Sequence, residues 1–174
     1  MQIEVKGLDT LIKKMDKLAK DVQKDVQAEL NAWADDTATM AISLVAANSS
    51  DEGLLKNSIK PKYGNGNASV VAATKYAAYI EFGTRKFASA YVGTLPADWA
   101  TYANTFKGSV GGTFDDLLLS IMLWVGRKGI DKDAAYPIAR KIMIDGIRPK
   151  PYLYPSVNKT LPELKKNLRA IFKL

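Results

Sequence analysis

The chain has 174 residues, 47% of them apolar and 25% charged, the make-up of a folded protein long enough to bury one sizeable core. It contains no cysteine and no histidine, which excludes disulfides, thiol catalysis, iron–sulfur clusters and structural zinc and removes the commonest general base. The net charge of +7 is uneven: residues 1–139 hold 16 basic and 16 acidic side chains, whereas 140–174 hold nine basic ones against Asp145 and Glu163. Such a basic end can meet phosphate, an acidic protein surface or only water.

Ile3 and Val5 alternate with polar neighbours and predict a short opening strand ended by Gly7. No basic leader and apolar core are present there, so no signal peptide is read. Asp9 or Thr10 caps a helix whose apolar stripe runs through Leu11, Met15, Leu18, Val22, Val26, Leu30, Trp33, Met40 and Leu44. A helix from Leu11 to near Ala46 would be on the order of 50 Å long, against a radius of gyration of roughly 16 Å for a domain of this mass. Part of it is therefore expected to bend back or to lie against another subunit. Its other face alternates Lys with Asp between Lys13 and Glu29, a pattern of solvated pairs.

Two strands, Leu54 to Tyr63 and Ala68 to Thr74, are expected to flank Gly64-Asn-Gly-Asn67, whose residues accept the positive φ of a tight hairpin turn. Pro61 cannot donate to a ladder, which places its strand at an open edge. A short helix follows from about Lys75 to Phe82. Residues 86–113 scatter Phe87, Tyr91, Trp99, Tyr102 and Phe106 among small residues and close on Gly108-Ser-Val-Gly-Gly112. This stretch reads as an inserted aromatic loop that orders against a neighbour.

Helices are predicted from Phe114 to Arg127 and from about Pro137 to Asp145, the latter stopped by Gly146. The most apolar run, Leu117 to Val125, is nine residues long, well short of the roughly 20 needed to span a bilayer. With Asp115-Asp116 and Arg127-Lys128 bracketing it, it reads as a buried helix. A capping box at Thr160-Leu-Pro-Glu163 starts the last helix. Leu161, Leu164, Leu168 and Ile171 form its buried face, and Lys165, Lys166, Arg169 and Lys173 point elsewhere. The expected fold class is α+β, a single domain over residues 1–174. A long N-terminal amphipathic helix packs on a small antiparallel sheet, with a helical insertion and a C-terminal helix.

Nothing in this pattern assembles a catalytic or cofactor site. The acidic pairs Asp35-Asp36, Asp51-Glu52 and Asp115-Asp116 are adjacent in sequence and diverge by about 100° on a helix, whereas a shared proton or metal needs convergence. Asp131-Lys-Asp133 lacks the glycine and the late glutamate of a calcium loop, and Gly108–Gly112 lacks the Lys-Ser/Thr of a phosphate loop. No enzyme, metal or cofactor is read.

Two segments stand out instead. Lys75-Tyr-Ala-Ala-Tyr-Ile-Glu-Phe-Gly-Thr84 places Tyr76, Tyr79 and Ile80 at helical spacing and stops at Gly83. Gly146-Ile-Arg-Pro-Lys-Pro-Tyr-Leu-Tyr-Pro155 alternates prolines with aromatic residues, a stiff extended path that delivers large side chains to a core or an interface. Arg148 with Tyr152 and Tyr154 also has the ingredients of a single-strand nucleic-acid contact, although packing is the stronger reading.

At these segments the chain resembles a family of tailed-bacteriophage morphogenesis proteins described as tail-component, tail-completion or head–tail joining proteins. Tyr76, Ala77, Tyr79, Ile80, Glu81, Phe82, Gly83 and Thr84 fit the first of its motifs. Pro149, Pro151, Tyr152, Leu153 and Pro155 fit the second, with Ser156 where alanine is usual. The resemblance implies a structural virion protein of the neck or upper tail, assembled in the host cytoplasm. It would form a ring of identical subunits that meets portal-side, neck or tail proteins, with no membrane. A passing contact with DNA in the channel is left open. The interface residues it implies are Tyr76, Tyr79, Glu81, Phe82, Gly83, Thr84, Arg148, Pro149, Pro151, Tyr152, Tyr154 and Pro155. Packing of Tyr79, Phe82, Tyr152 and Tyr154 is expected to fix the Gly83–Thr84 turn beside the proline segment. The alternative is a nucleic-acid-binding module that uses the basic C-terminal region.

Overall fold

The computed structural model describes residues 2–4, 20–48, 53–107 and 112–172. The chain divides into two compact units, a discontinuous one (Met1–Ala77 with Pro151–Leu174) and an inserted one (Ala78–Lys150).

The discontinuous unit is α+β. A three-stranded antiparallel sheet has the order β1 (Gln2–Glu4), β3 (Asn67–Ala72), β2 (Ile59–Gly64). The hairpin joins β2 to β3 through Asn65 and Gly66, with Gly64 opposite Asn67 and Gly66 at φ 77°, the left-handed value such a turn requires. Pro61 pairs with Val70 from the outer strand β2, as its missing donor dictates. Ala68, Val70 and Ala72 of the central strand are buried.

Helix α1 (Lys20–Asn48) crosses this sheet and packs along helix α8 (Leu153–Phe172). The start of the predicted helix, with Leu11, Met15 and Leu18, lies outside the described residues, as do Val5 and Gly7 of the predicted strand. The buried face of α1 is Val26, Leu30, Trp33, Ala34, Thr37, Ala38, Ala41 and Val45, while Met40 and Leu44 sit only half-buried on its flank. Small residues let α8 approach closely, so the described part of this oversized helix finds its cover in its own chain. Truncating the fully buried Leu30 to alanine should cost about 2–5 kcal/mol, read by urea unfolding.

Two expectations are corrected in this unit. Leu54–Ser58 is a helix (α2), not strand. Gly53 at φ 75° turns the chain in, its carbonyl accepts from Asn57 N, the Ser58 hydroxyl donates back to Leu55 O, and Leu55 is buried. The second correction concerns the start of α8, which begins at Leu153 and not at Thr160. The Thr160 hydroxyl does not cap forward; it donates to Ser156 O at 3.0 Å, four residues back, as a residue inside a helix does. Its oxygen is 2.7 Å from that of buried Thr37, a hydroxyl pair that ties α8 to α1. Pro162 lies within the helix, and the carbonyl it leaves unpaired belongs to exposed Asn158, where water can take the bond. Of the predicted face Leu164 and Leu168 are buried but Leu161 and Ile171 only half-buried; Lys165, Lys166 and Arg169 are exposed, and Lys173 lies outside the described residues.

The inserted unit is helical. It holds all but the first residue of α3 (Ala77–Phe82), then α4 (Arg85–Val92), α5 (Ala97–Asn104), α6 (Phe114–Arg127), a 3-10 turn (Lys132–Ala134) and α7 (Ala135–Asp145). The stretch read as an aromatic loop is therefore mostly two helices, with residues 108–111 outside the described set. Its rings have a partner inside the chain: Trp99, Tyr102 and Phe106 surround buried Phe82 with centroids 6.2–6.4 Å from it. Tyr102 meets the Phe82 ring edge-to-face, Phe106 stacks on it and Trp99 is tilted against it, and aromatic pairs of this kind add about 0.5–1.5 kcal/mol each beyond area burial.

Helix α6 keeps its predicted bounds, but Val125 is its one buried residue. It packs on α7 and the 3-10 turn, which together cover a single side of a largely apolar helix. Leu119, Met122 and Leu123 remain 60%, 45% and 58% exposed, so the expectation of a buried helix fails on that side. Its N-terminus carries the capping box, Thr113 with Asp116.

Candidate interface at the two motifs

Within the inserted unit the two motifs meet through backbone. Gly83, at φ 74°, ends α3 with its N–H on Tyr79 O. Thr84 N then donates to Ile147 O at 3.0 Å, and Ile147 N donates to the Thr84 hydroxyl at 2.7 Å. Lys150 N donates to Ile80 O at 2.7 Å. Ile80, Thr84, Ile147 and Lys150 thus form a short clamp between residues far apart in sequence.

Both glycines are required by space as well as by φ. A Cβ on Gly83 would stand 2.8 Å from Ile147 O and 2.9 Å from Pro149 Cδ. One on Gly146 would collide with the Thr84 carbonyl and hydroxyl. Gly146 has φ 91° and ψ −177°, a region that only glycine populates freely. Arg85, directly after the turn, is held at φ 52°, a left-handed value that costs a side-chain-bearing residue about 1–2 kcal/mol.

The Gly83–Thr84 turn lies against Ile147 and Pro149. Its fixing runs through hydrogen bonds and the Phe82 ring cluster, two features that sequence reading missed. Tyr79 and Thr84 are half-buried, and Glu81, Phe82 and Gly83 are buried. Arg148 is exposed and lies with its guanidinium 5.2 Å from the Phe87 ring centroid, a cation–π contact that also receives Lys86. Lys86 pairs with Asp145 at 2.6 Å. Pro149 is half-buried.

In the discontinuous unit, Tyr76 is 39% exposed, Tyr152 is 1% exposed, and Pro151, Tyr154 and Pro155 are half-buried. The extended path stops at Pro151, because α8 begins at Leu153. The Tyr152 hydroxyl donates to Ala77 O at 3.4 Å, and its carbonyl accepts from the Ser156 hydroxyl at 2.6 Å. Its ring is core, so it offers no face to a base.

Hydrogen bonding from Lys86 holds the Asp145 carboxyl below the usual range, and the bonds from Thr113 do the same for Asp116. A carboxylate whose pKa is depressed by folding contributes stability above its unfolded value of about 3.9, and that share is lost as pH falls through the folded value. Asp145→Asn should therefore flatten the fall of stability between about pH 5 and 2, measured by urea midpoints across pH. An unchanged slope would show that Lys86 and Asp145 do not pair in solution.

A separate groove of about 690 Å³ runs between α1 and α8, bordered by Glu29, Trp33, Asp36, Lys159 and Glu163. Neither motif contributes to it. Among the described residues, no group of His, Cys, Asp and Glu could hold a metal ion, and no helix is long and apolar enough to cross a membrane.

The long helix and all of the first motif but Thr84 lie in a segment that matches a family of bacteriophage tail components. That family is HK97-gp10-like, described as "Bacteriophage HK97-gp10, putative tail-component", and its model matches residues 9–83. The match is consistent with the tail-component resemblance carried by the motif residues. No curated protein and no solved structure matches the chain.

Proposed function

We propose that this protein is a structural component of a tailed-phage virion that forms a ring at the head–tail junction and joins the capsid portal complex to the tail. The observation that carries this reading is the tail-component match over residues 9–83, which runs through α1 to the Gly83 turn. The backbone clamp supports it. A subunit that must present one surface to identical neighbours needs a stiff frame, and the Gly83–Ile147 turn leaves exposed Arg148 on such a frame. Exposed Tyr76 adds an aromatic anchor of the kind that interfaces favour. Neck or tail proteins are its partners in this reading, and it acts by holding surfaces together, not by catalysis.

Mass measurement beside negative-stain imaging of purified protein tests the ring. Closed rings whose mass holds from low to physiological salt are expected. Monomers that bind DNA with an affinity falling steeply over the same salt range would overturn the reading in favour of the nucleic-acid module. In infected cells, loss of the protein should leave filled heads and tails unjoined.

A further inference from the structure

Beyond the ring, helix α6 carries a contact of its own. At about 100° per residue, Asp115, Leu119, Met122, Leu123 and Gly126 fall within one stripe about 100° wide, opposite the side that carries half-buried Leu117, Ile121 and Trp124 with buried Val125. Leu119, Met122 and Leu123 are 60%, 45% and 58% exposed, a cluster that water would otherwise have to cover. Nothing lies within 4 Å of the place a Cβ would take on Gly126, so a second backbone can approach there.

We propose that this stripe pairs with the same stripe of a second copy, antiparallel, about a two-fold axis near Ile121 and Met122. Charge selects this occupant. Asp116 and Arg127 are about three turns apart and lie on the same flank of the stripe. In a two-fold antiparallel pair, like flanks meet, so Asp116 of each copy faces Arg127 of the other. A parallel two-fold pair would put these flanks on opposite sides of the seam and form neither charge pair. Antiparallel helix dipoles add to the preference. The stripe is smaller than the roughly 800 Å² per partner of a standard interface, so alone it should dimerise with an affinity on the order of micromolar.

The contact is isologous, whereas ring neighbours meet head to tail. It therefore joins two subunits, or two rings face to face, and it stands whether or not the ring reading does.

Sedimentation of the full chain across micromolar to millimolar concentration tests it. Leu123→Asp should halve the mass reached by the unaltered protein, as should Arg127→Glu, which sets two acidic groups against each other twice. Asp116→Arg should dissociate in the same way, with circular dichroism confirming that the helix survives loss of its cap. Mixing the Arg127→Glu and Asp116→Arg proteins restores both charge pairs in the mixed dimer, and the full mass should return. An unaltered protein that stays monomeric throughout, a Leu123→Asp mass equal to the unaltered one, or a mixture of folded variants that fails to associate would each overturn the proposal.

Discussion

Replacing Gly146 by alanine is expected to cost about 3–5 kcal/mol of stability, a large part of the 5–15 kcal/mol typical of a domain. Two independent costs combine. The backbone at φ 91° and ψ −177° is strained for any side chain, and the new methyl would press on the Thr84 carbonyl and hydroxyl. Those atoms belong to the clamp with Ile147, so the substituted chain must either open the turn or move the end of α7. Gly126→Ala is the matched control. It sits inside α6 with open space around it and should instead gain about 1 kcal/mol from helix propensity. Urea unfolding of both at low protein concentration separates the effects. A loss below about 1 kcal/mol at Gly146 would mean that the turn yields easily and is no frame for an interface.

Tyr152→Ala should be nearly as damaging, at about 3–5 kcal/mol, because the ring is 1% exposed and its removal leaves a cavity. A contact residue whose loss spared the fold would behave differently: soluble protein of normal stability that fails to assemble. Tyr152→Phe distinguishes hydroxyl from ring. The bond to Ala77 O is long at 3.4 Å, so this change should cost at most about 1.5 kcal/mol. A stable, monomeric Tyr152→Ala protein would return the ring to an interface and contradict its place in the core.

Where apolar spacing and turn chemistry decide the local conformation, sequence reading located the elements. Asn65-Gly66 fixed the hairpin, Pro61 its outer strand, and Phe114–Arg127 the bounds of α6. Failures came where a residue type has two uses. Thr160 followed by Glu163 has the spelling of a cap, yet the threonine hydroxyl bonds backward within a longer helix. Leu54 and Leu55 carry as much helix as strand character, and Gly53 settled the matter. Trp99, Tyr102 and Phe106 find their partner in Phe82, which the motif spacing groups with Tyr79, Tyr152 and Tyr154 instead. As for the candidate site, composition marked the two motifs, and Gly83 announced a turn. The hydrogen bonds that join residues 80–84 to 147–150 are tertiary, and no local signal in the chain encodes them.

The bond from Lys150 N to Ile80 O holds the two ends of the inserted unit within 2.7 Å of each other, close to where it departs after Ala77 and returns before Pro151. A module whose entry and exit lie side by side can be excised, lengthened or exchanged while its host keeps one continuous purpose. Length variation among related sequences should therefore concentrate between these two points, and a short glycine–serine bridge in place of residues 78–150 should leave the host able to fold.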